Sequence, residues 1–424
     1  MSKYLPRITD LELSESLKSA GAVLLRGPKA CGKSETAKQR ARSVLLVDRD
    51  PRVAQLMAID PGILLDGDTP RLIDEWQFQP RLWDYVRHEV DDRSDKGQFI
   101  LTGSSNPDEE ATLHSGAGRF INLTMRTMSW QEMGYSDGYV SIEDLFRGKP
   151  IDPKEYKLDI RTIIDRLVVG GWPELVGVDV KNARRVNSSY VGLLAEVDMS
   201  RVSSVKRDPN RVTYLLQSLA RNISTITDRM TIIRDIQEVN NDNMSRPTVD
   251  DYLDALERLM IIENQPAWNT HIRSSARLRK SPKIHFADVS LAIASLGLDS
   301  ESLLNDLNYT GFVFESQVVH DLRVYATRVG GEVYYYRDST GLEVDAIVQK
   351  PNGDSAIFEI KLGEGFIEEG ASTVLKFVDN VKETKGRRIV SKNVIVGSGY
   401  AYTRPDGVNI IPISALGVES IASQ

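Results

Sequence analysis

Short unbroken apolar runs, each closed by polar or turn residues, punctuate the first third of the chain. They are Gly21-Ala22-Val23-Leu24-Leu25-Arg26, Ser43-Val44-Leu45-Leu46-Val47-Asp48, Arg71-Leu72-Ile73-Asp74 and Gln98-Phe99-Ile100-Leu101-Thr102. Runs of this length predict buried strands, and Ser34 to Ala41 has helical composition between two of them. The middle third changes period. Leu158, Ile163 and Leu167 recur at helical spacing up to Gly170, and Val212, Leu215, Leu216, Leu219 and Ile223 mark a second amphipathic helix. Thr231 to Val239 forms a shorter helix. Thr248-Val249-Asp250-Asp251 reads as a capping box, with Thr248 as N-cap of a helix carrying Tyr252, Leu253, Leu256 and Leu259. Leu259 to Glu263 then turns extended, and Pro282 to Phe286 reads as a returning strand. Three helices and a hairpin is the order of a winged helix-turn-helix.

The last third predicts the order α-β-β-β-α-β. An amphipathic helix carries Glu315. Strands follow at Glu332–Arg337, Glu343–Val348 and Ser355–Lys361, then a helix at Ile367–Val381 and a strand at Asn393–Val396.

The turn after the first strand is Gly27-Pro28-Lys29-Ala30-Cys31-Gly32-Lys33-Ser34, a Walker P-loop in its required strand–loop–helix context. Its glycines let backbone N–H groups curl around the phosphates of ATP, and the following helix N-terminus adds a favourable dipole. Lys33 is expected to reach the β- and γ-phosphates, and the Ser34 hydroxyl to ligate Mg²⁺. Asp74-Glu75 ends a strand about 40 residues on, as a Walker B pair does: Asp74 to hold Mg²⁺ through water, Glu75 to polarise the attacking water. The plainer reading of such a pair is a helix cap. Ser104 stands where a sensor residue touches the γ-phosphate or the lytic water, or else it is an ordinary turn residue. Arg119 is either an arginine finger, acting in cis or on a neighbouring subunit, or a surface arginine. Cys31 fills a variable loop position as a small tolerated residue.

In the last third, Asp345 and Glu359-x-Lys361 fall on neighbouring strands, and alternation puts Glu359 and Lys361 on one face. Asp345 and Glu359 are the candidate Mg²⁺ ligands, Glu315 completes the shell from the helix, and Lys361 orients a water for phosphodiester attack. This is the PD-(D/E)xK nuclease pattern; the same fold also serves as a non-cleaving binding module.

Length and composition set the frame. The 424 residues suggest two or three domains. The chain is 41% hydrophobic and 27% charged, as folded proteins are. No apolar run approaches the ~20 residues that span a bilayer, and the N-terminus lacks a signal peptide's apolar stretch. A single cysteine excludes an intramolecular disulfide. A cytoplasmic protein without a membrane partner is expected. The net charge is −7. Basic residues number 20 against 23 acidic in residues 1–150, 21 against 20 in 151–300 and 12 against 17 in 301–424. Only the middle third escapes an acidic excess. Arg273, Arg277, Arg279, Lys280 and Lys283 lie there in a stretch without acids, so segment 273–283 is the candidate DNA contact.

The combined order resembles a prokaryotic family of AAA-type ATPases with a C-terminal nuclease-like domain of unknown function. Tyr4-Leu5-Pro6-Arg7, the P-loop, Asp74-Glu75-Trp76-Gln77, Leu101-Thr102-Gly103-Ser104-Ser105, Gly118-Arg119, Gly171-Trp172-Pro173-Glu174, Phe314-Glu315 and Glu343-Val344-Asp345 carry the likeness along nearly the whole chain. Members often have Arg and Thr where this chain has Lys29 and Ser34. The resemblance implies an α/β protein with an AAA-type ATPase domain at 1–140, a helical linker and winged helix at 141–300, and a PD-(D/E)xK domain at 301–424. ATP hydrolysis would drive a DNA-associated machine that cuts or grips nucleic acid. The alternative is an ATP-dependent switch on a protein partner, with the nuclease-like domain non-catalytic. Arginine-finger ATPases usually assemble, so a homo-oligomer is expected.

Overall fold

The computed structural model describes residues 4–104, 116–201, 207–268, 281–381 and 388–421. It divides into two compact units, one ending at Thr127 and the other comprising Met128–Glu257 and Ile261–Glu419, with Arg258–Met260 and the C-terminal residues from Ser420 grouped with the first.

The first unit is a parallel sheet with helices packed on it. Helix α1 (Ile8–Ser19) leads into β1 (Ala22–Arg26), the P-loop and α2 (Lys33–Lys38). Strands β2 (Ser43–Leu46) and β3 (Arg71–Asp74), helix α3 (Leu82–Arg93), then β4 (Phe99–Gly103) and β5 (Phe120–Thr124) follow. The order is β2-β3-β4-β1-β5, every pair parallel. Residues on both faces of β1 are buried, as a parallel sheet covered on two sides requires. Leu24, Ile73 and Leu101 pack with Trp76 and Trp83 on one side; Val23, Leu25, Leu72 and Ile100 pack with Leu13 and Met125 on the other. Strand β4, between β1 and β3, sets the P-loop and Asp74 one strand apart.

After a short strand at Val140–Ser141 and a helix at Ile142–Arg147, the second unit runs through β6 (Lys154–Tyr156) and the helices α4 (Ile160–Val169), α5 (Val180–Leu193), α6 (Pro209–Arg221), α7 (Arg229–Asn240) and α8 (Arg246–Arg258). Aspartates cap four of these in turn. Asp159, Asp179, Asp208 and Asp228 accept from Thr162, Asn182, Asn210 and Thr231 N–H groups. Each such cap is worth about 1 kcal/mol. Helix α8 begins earlier than the expected box: Ser245 Oγ accepts from Thr248 N at 3.3 Å, so Ser245 is the cap and Thr248 stands inside the first turn. Pro247 explains the shift, since proline is tolerated in a helix's first turn.

The hairpin β7 (Ile262–Gln265) and β8 (Lys283–Phe286) follows, then α9 (Val289–Ser295) and the long helix α10 (Leu307–Ala326). Strands β9 (Glu332–Arg337), β10 (Glu343–Gln349) and β11 (Asp354–Lys361), helix α11 (Ile367–Asn380), and strands β12 (Arg388–Val396), β13 (Gly399–Thr403) and β14 (Asn409–Pro412) complete the unit. The sheet order is β9-β10-β11-β12-β14-β13-β6. Strand β6 therefore closes an edge built otherwise from the C-terminal third. Helix α10 is not amphipathic as its pattern suggested. From Val313 to Ala326 every residue is buried, polar ones included. Their partners account for this: Trp130 N–H donates to Asp321, and His285 meets Ser316 Oγ.

Candidate functional site

The P-loop curls over the C-terminal edge of β1. Ala30 and Gly32 take positive φ values of 63° and 102°, and the loop ends where α2 begins. Gly27 is required by close approach, because a β-carbon there would stand 2.2 Å from the Met125 carbonyl oxygen at the end of β5. Lys33 is 4% exposed and donates from Nζ to the Gly27 and Pro28 carbonyls at 2.9 and 2.8 Å. Its ammonium thus rests on the rim of its own loop. Pro28 is buried, and Lys29 and Ala30 form the exposed arc of the loop. Cys31 is fully buried against Met125, which removes it from solvent and from redox chemistry.

Asp74 ends β3 beside this loop. Its Oδ1 accepts from Ser34 Oγ at 2.7 Å and from Thr102 Oγ1. The Ser34 and Asp74 oxygens therefore converge on one point, the oxygen-rich environment that Mg²⁺ prefers. The residues fit the ion. Glu75 follows in the left-handed region (φ 56°, ψ 43°), a conformation a non-glycine residue holds only when its surroundings impose it. The Gln77 amide donates to the Glu75 carboxylate and lies 3.5 Å from Ser104 Oγ, which links the carboxylate to the end of β4. Lys33, Ser34, Asp74, Glu75 and Ser104 are all brought to one edge of the sheet.

Arg119 is not. It immediately precedes β5, and its carbonyl accepts from Ala22 N, at the start of β1. Five residues of strand, about 16 Å, separate that edge from the P-loop. The guanidinium is exposed and paired with Asp91, Nε to Oδ1 at 2.8 Å and Nη2 to Oδ2 at 3.1 Å. The expectation of a finger in cis is corrected by strand direction: residues before a parallel strand lie opposite those after it.

Three further residues belong to the site. Thr102 holds Asp74. Gln77 holds Glu75. Arg7 is buried and forks between the carbonyls of Cys31 and Arg126, both at 2.9 Å, tying the P-loop to the end of β5. Tyr4 donates to Asp10 and meets Thr36 Oγ1 on α2. Burial raises the Tyr4 phenol above its usual range, and the bond to Asp10 adds to that. Arg7→Ala should raise KM for ATP about tenfold, the worth of roughly one charged hydrogen bond, with kcat within about threefold; steady-state kinetics with an unchanged KM would remove Arg7 from the loop's support.

The second constellation lies in the other unit. Glu315 on α10 and Glu343 and Asp345 on β10 meet beside a cleft of about 520 Å³ that Lys361 also lines. Lys283 of β8 enters between them. Its Nζ is 2.9 Å from Glu315, 2.7 Å from Glu343 and 3.8 Å from Asp345. Glu359 pairs with Lys361 at 3.2 Å, and Lys361 reaches Glu369 at 3.0 Å. Asp345 Oδ2 accepts from Ile360 N at 2.8 Å. Burial pushes the Glu315 carboxyl up to about 8 and raises Asp345 and Glu359 as well, with Lys283 and Lys361 opposing it. Burial alone would lower Lys283, but Glu315, Asp345 and Glu343 hold it above the ordinary lysine range.

The sequence places Lys283 in the basic segment 273–283, the candidate DNA contact. At 2% exposure it is unavailable to a phosphate backbone. Arg273, Arg277, Arg279 and Lys280 lie outside the described residues. Among the described residues no helix is long and apolar enough to cross a membrane, and no group of three or more His, Cys, Asp or Glu is placed to hold a metal ion.

Residues 19–134 match the family model of an AAA domain. Residues 160–302 and 310–416 match two domains of unknown function, DUF8612 and DUF4143. No curated protein matches the chain. Among solved structures the chain is similar to the Walker-type ATPase of Pyrococcus abyssi, at 14% identity and a TM-score of 0.42, over 68% of this chain and 94% of that one. It is also similar to a STAND signal-transduction ATPase with a tetratricopeptide repeat sensor from Pyrococcus horikoshii, at 14% identity and a TM-score of 0.23, over 76% of this chain and 48% of that one. Drosophila ORC bound to DNA matches at 13% identity and a TM-score of 0.21, over 68% and 85%. The protein is mixed α/β, its N-terminal unit has a P-loop ATPase fold of AAA type, and the family match supports ATP binding and hydrolysis.

Proposed function

We propose that the protein hydrolyses ATP at Gly27–Ser34 and uses the cycle to drive its second unit. The meeting of Ser34 and Asp74 oxygens beside Lys33 carries this reading. In it Lys33 leaves the loop carbonyls for the β- and γ-phosphates. Ser34 and Asp74 would hold Mg²⁺, which would neutralise phosphate charge. Glu75, released by Gln77, orients and polarises the attacking water, and Ser104 reports the γ-phosphate to β4. Arg119, exposed on the far edge, serves as a finger only toward a neighbouring subunit of a homo-oligomer.

The load is a nucleic acid or a protein. The order of three helices and a hairpin over 209–286 supports a winged helix, and the order α-β-β-β-α-β over 307–396 supports a PD-(D/E)xK-like domain. Segment 273–280 would then touch DNA in a cytoplasmic, DNA-associated ATPase. One observation favours the other reading, a switch on a protein partner with a non-catalytic C-terminal domain: Lys283, counted toward the basic segment, is instead buried among carboxylates. ATPase rates with and without duplex DNA separate the two. Stimulation of several-fold, lost when Arg277, Arg279 and Lys280 are reversed in charge and weakened by salt, supports DNA. Identical rates at every salt concentration support a protein load.

A further inference from the structure

We infer that the C-terminal carboxylate cluster carries its own cation, the Lys283 ammonium, in the place a nuclease-like site would give to a divalent metal. The inference is independent of what the ATPase drives. Glu343 and Asp345 are two apart on β10 and so face the same way, while Glu315 comes from the packed helix. Three carboxylates from two elements thus converge, and the point they share is filled. Lys283 Nζ makes ammonium–carboxylate contacts of 2.9 and 2.7 Å with Glu315 and Glu343, and Asp345 is 3.8 Å away. A divalent ion would need those same oxygens at about 2.1 Å, against a fixed positive charge.

Lys283 is not free to leave. Its strand pairs with β7, Gln265 opposite Lys283, and the Gln265 amide donates to the Tyr334 and Asp345 carbonyls. His285, two residues along, meets Gln265 Oε1 and Ser316 Oγ. Shifting the strand that carries Lys283 would break these bonds to α10 and the sheet. The other expected ligand is paired separately and at one oxygen only: Glu359 Oε1 meets Lys361, and Glu359 Oε2 is buried without a hydrogen-bond partner. Asp345 and Glu359 are therefore attended by two different lysines, and the cluster acts as an ionic lock that fastens the hairpin to the C-terminal sheet. Metal-dependent cleavage of nucleic acid is not expected there.

The test is Mn²⁺ binding to the nucleotide-free, full-length protein, read by the loss of free-ion electron paramagnetic resonance signal. Wild type and Asp345→Asn should give superimposable titrations up to millimolar Mn²⁺. Lys283→Ala should gain one Mn²⁺ site, lost again in Lys283→Ala/Asp345→Asn. With EDTA present its Tm should fall by about 10 °C, because the carboxylates lose their buried partner. Part of that loss should return with Mn²⁺. If Lys283→Ala does not fold, the first pair of titrations decides alone. A wild-type Mn²⁺ site that Asp345→Asn abolishes overturns the inference. So does a folded Lys283→Ala that gains no site.

Discussion

Lys33→Ala is expected to lower ATP turnover by at least about a hundredfold, the usual cost of removing one charged donor from developing phosphate charge. The side chain is already in the loop, bonded to the Gly27 and Pro28 carbonyls, so only a short movement separates it from a bound phosphate. Glu75→Gln should behave differently. It leaves the P-loop, Ser34 and Asp74 intact, so nucleotide should bind nearly as well while hydrolysis falls by a similar factor. Binding of a fluorescent ATP analogue and phosphate release, measured on both variants, distinguish the two roles. Wild-type turnover in Lys33→Ala would refute the P-loop assignment; loss of binding in Glu75→Gln would move Glu75 from chemistry to structure. Thermal melts of each variant check that the fold survives.

Gly171→Ala should be the most damaging single-methyl change in the second unit, costing about 3 kcal/mol or more. A β-carbon there would stand 2.3 Å from the Met128 carbonyl oxygen and 2.9 Å from Met128 N, backbone atoms with nowhere to go. The contact is close because Met128 N donates to the Gly171 carbonyl at 2.7 Å while Gly171 N donates to Asp288 at 2.8 Å. Both bonds are buried, and losing either leaves a polar group unpaired. Gly192 is the internal control. It sits in α5 with open space around its added carbon, so Gly192→Ala should stabilise by about 0.5–1 kcal/mol. Chemical denaturation of both variants gives the comparison. Equal, small effects would mean that the 128–171 crossing is looser than the distances state.

The features legible in the sequence were those whose partners are close along the chain or marked by strict spacing. The P-loop announces itself, and the strand ends at Asp74 and Thr102 follow from apolar runs. What stayed hidden depends on which strand neighbours which. Thr102 reaches Asp74 only because β4 inserts beside β3. Arg119 looked available to the nucleotide until strand direction put it at the opposite edge. Arg7 acts on carbonyls 24 and 119 residues away, and nothing local predicts that. Lys283 shows the limit most clearly. Among five basic residues without an intervening acid it reads as surface charge, yet three carboxylates distant in sequence hold it inside. Helix α10 misled for the same reason, since its polar residues have buried partners elsewhere and its pattern imitates a solvent face.

Strand β6 has a consequence for how the chain is made. Residues Lys154–Tyr156 pair with Gly399–Ala401, so the ribosome must add about 240 residues before the edge they close exists. At 5–20 residues per second this is a wait of roughly 12–50 s, during which three residues of strand have no partner. The stretch is Lys-Glu-Tyr, two of its three positions charged, and charge on a strand edge discourages pairing with other chains. Replacing Lys154 and Glu155 by valine would keep the final pairing while removing that protection. The harm would fall on nascent chains rather than on the finished fold, as aggregation during synthesis with little change in the melting of whatever folds.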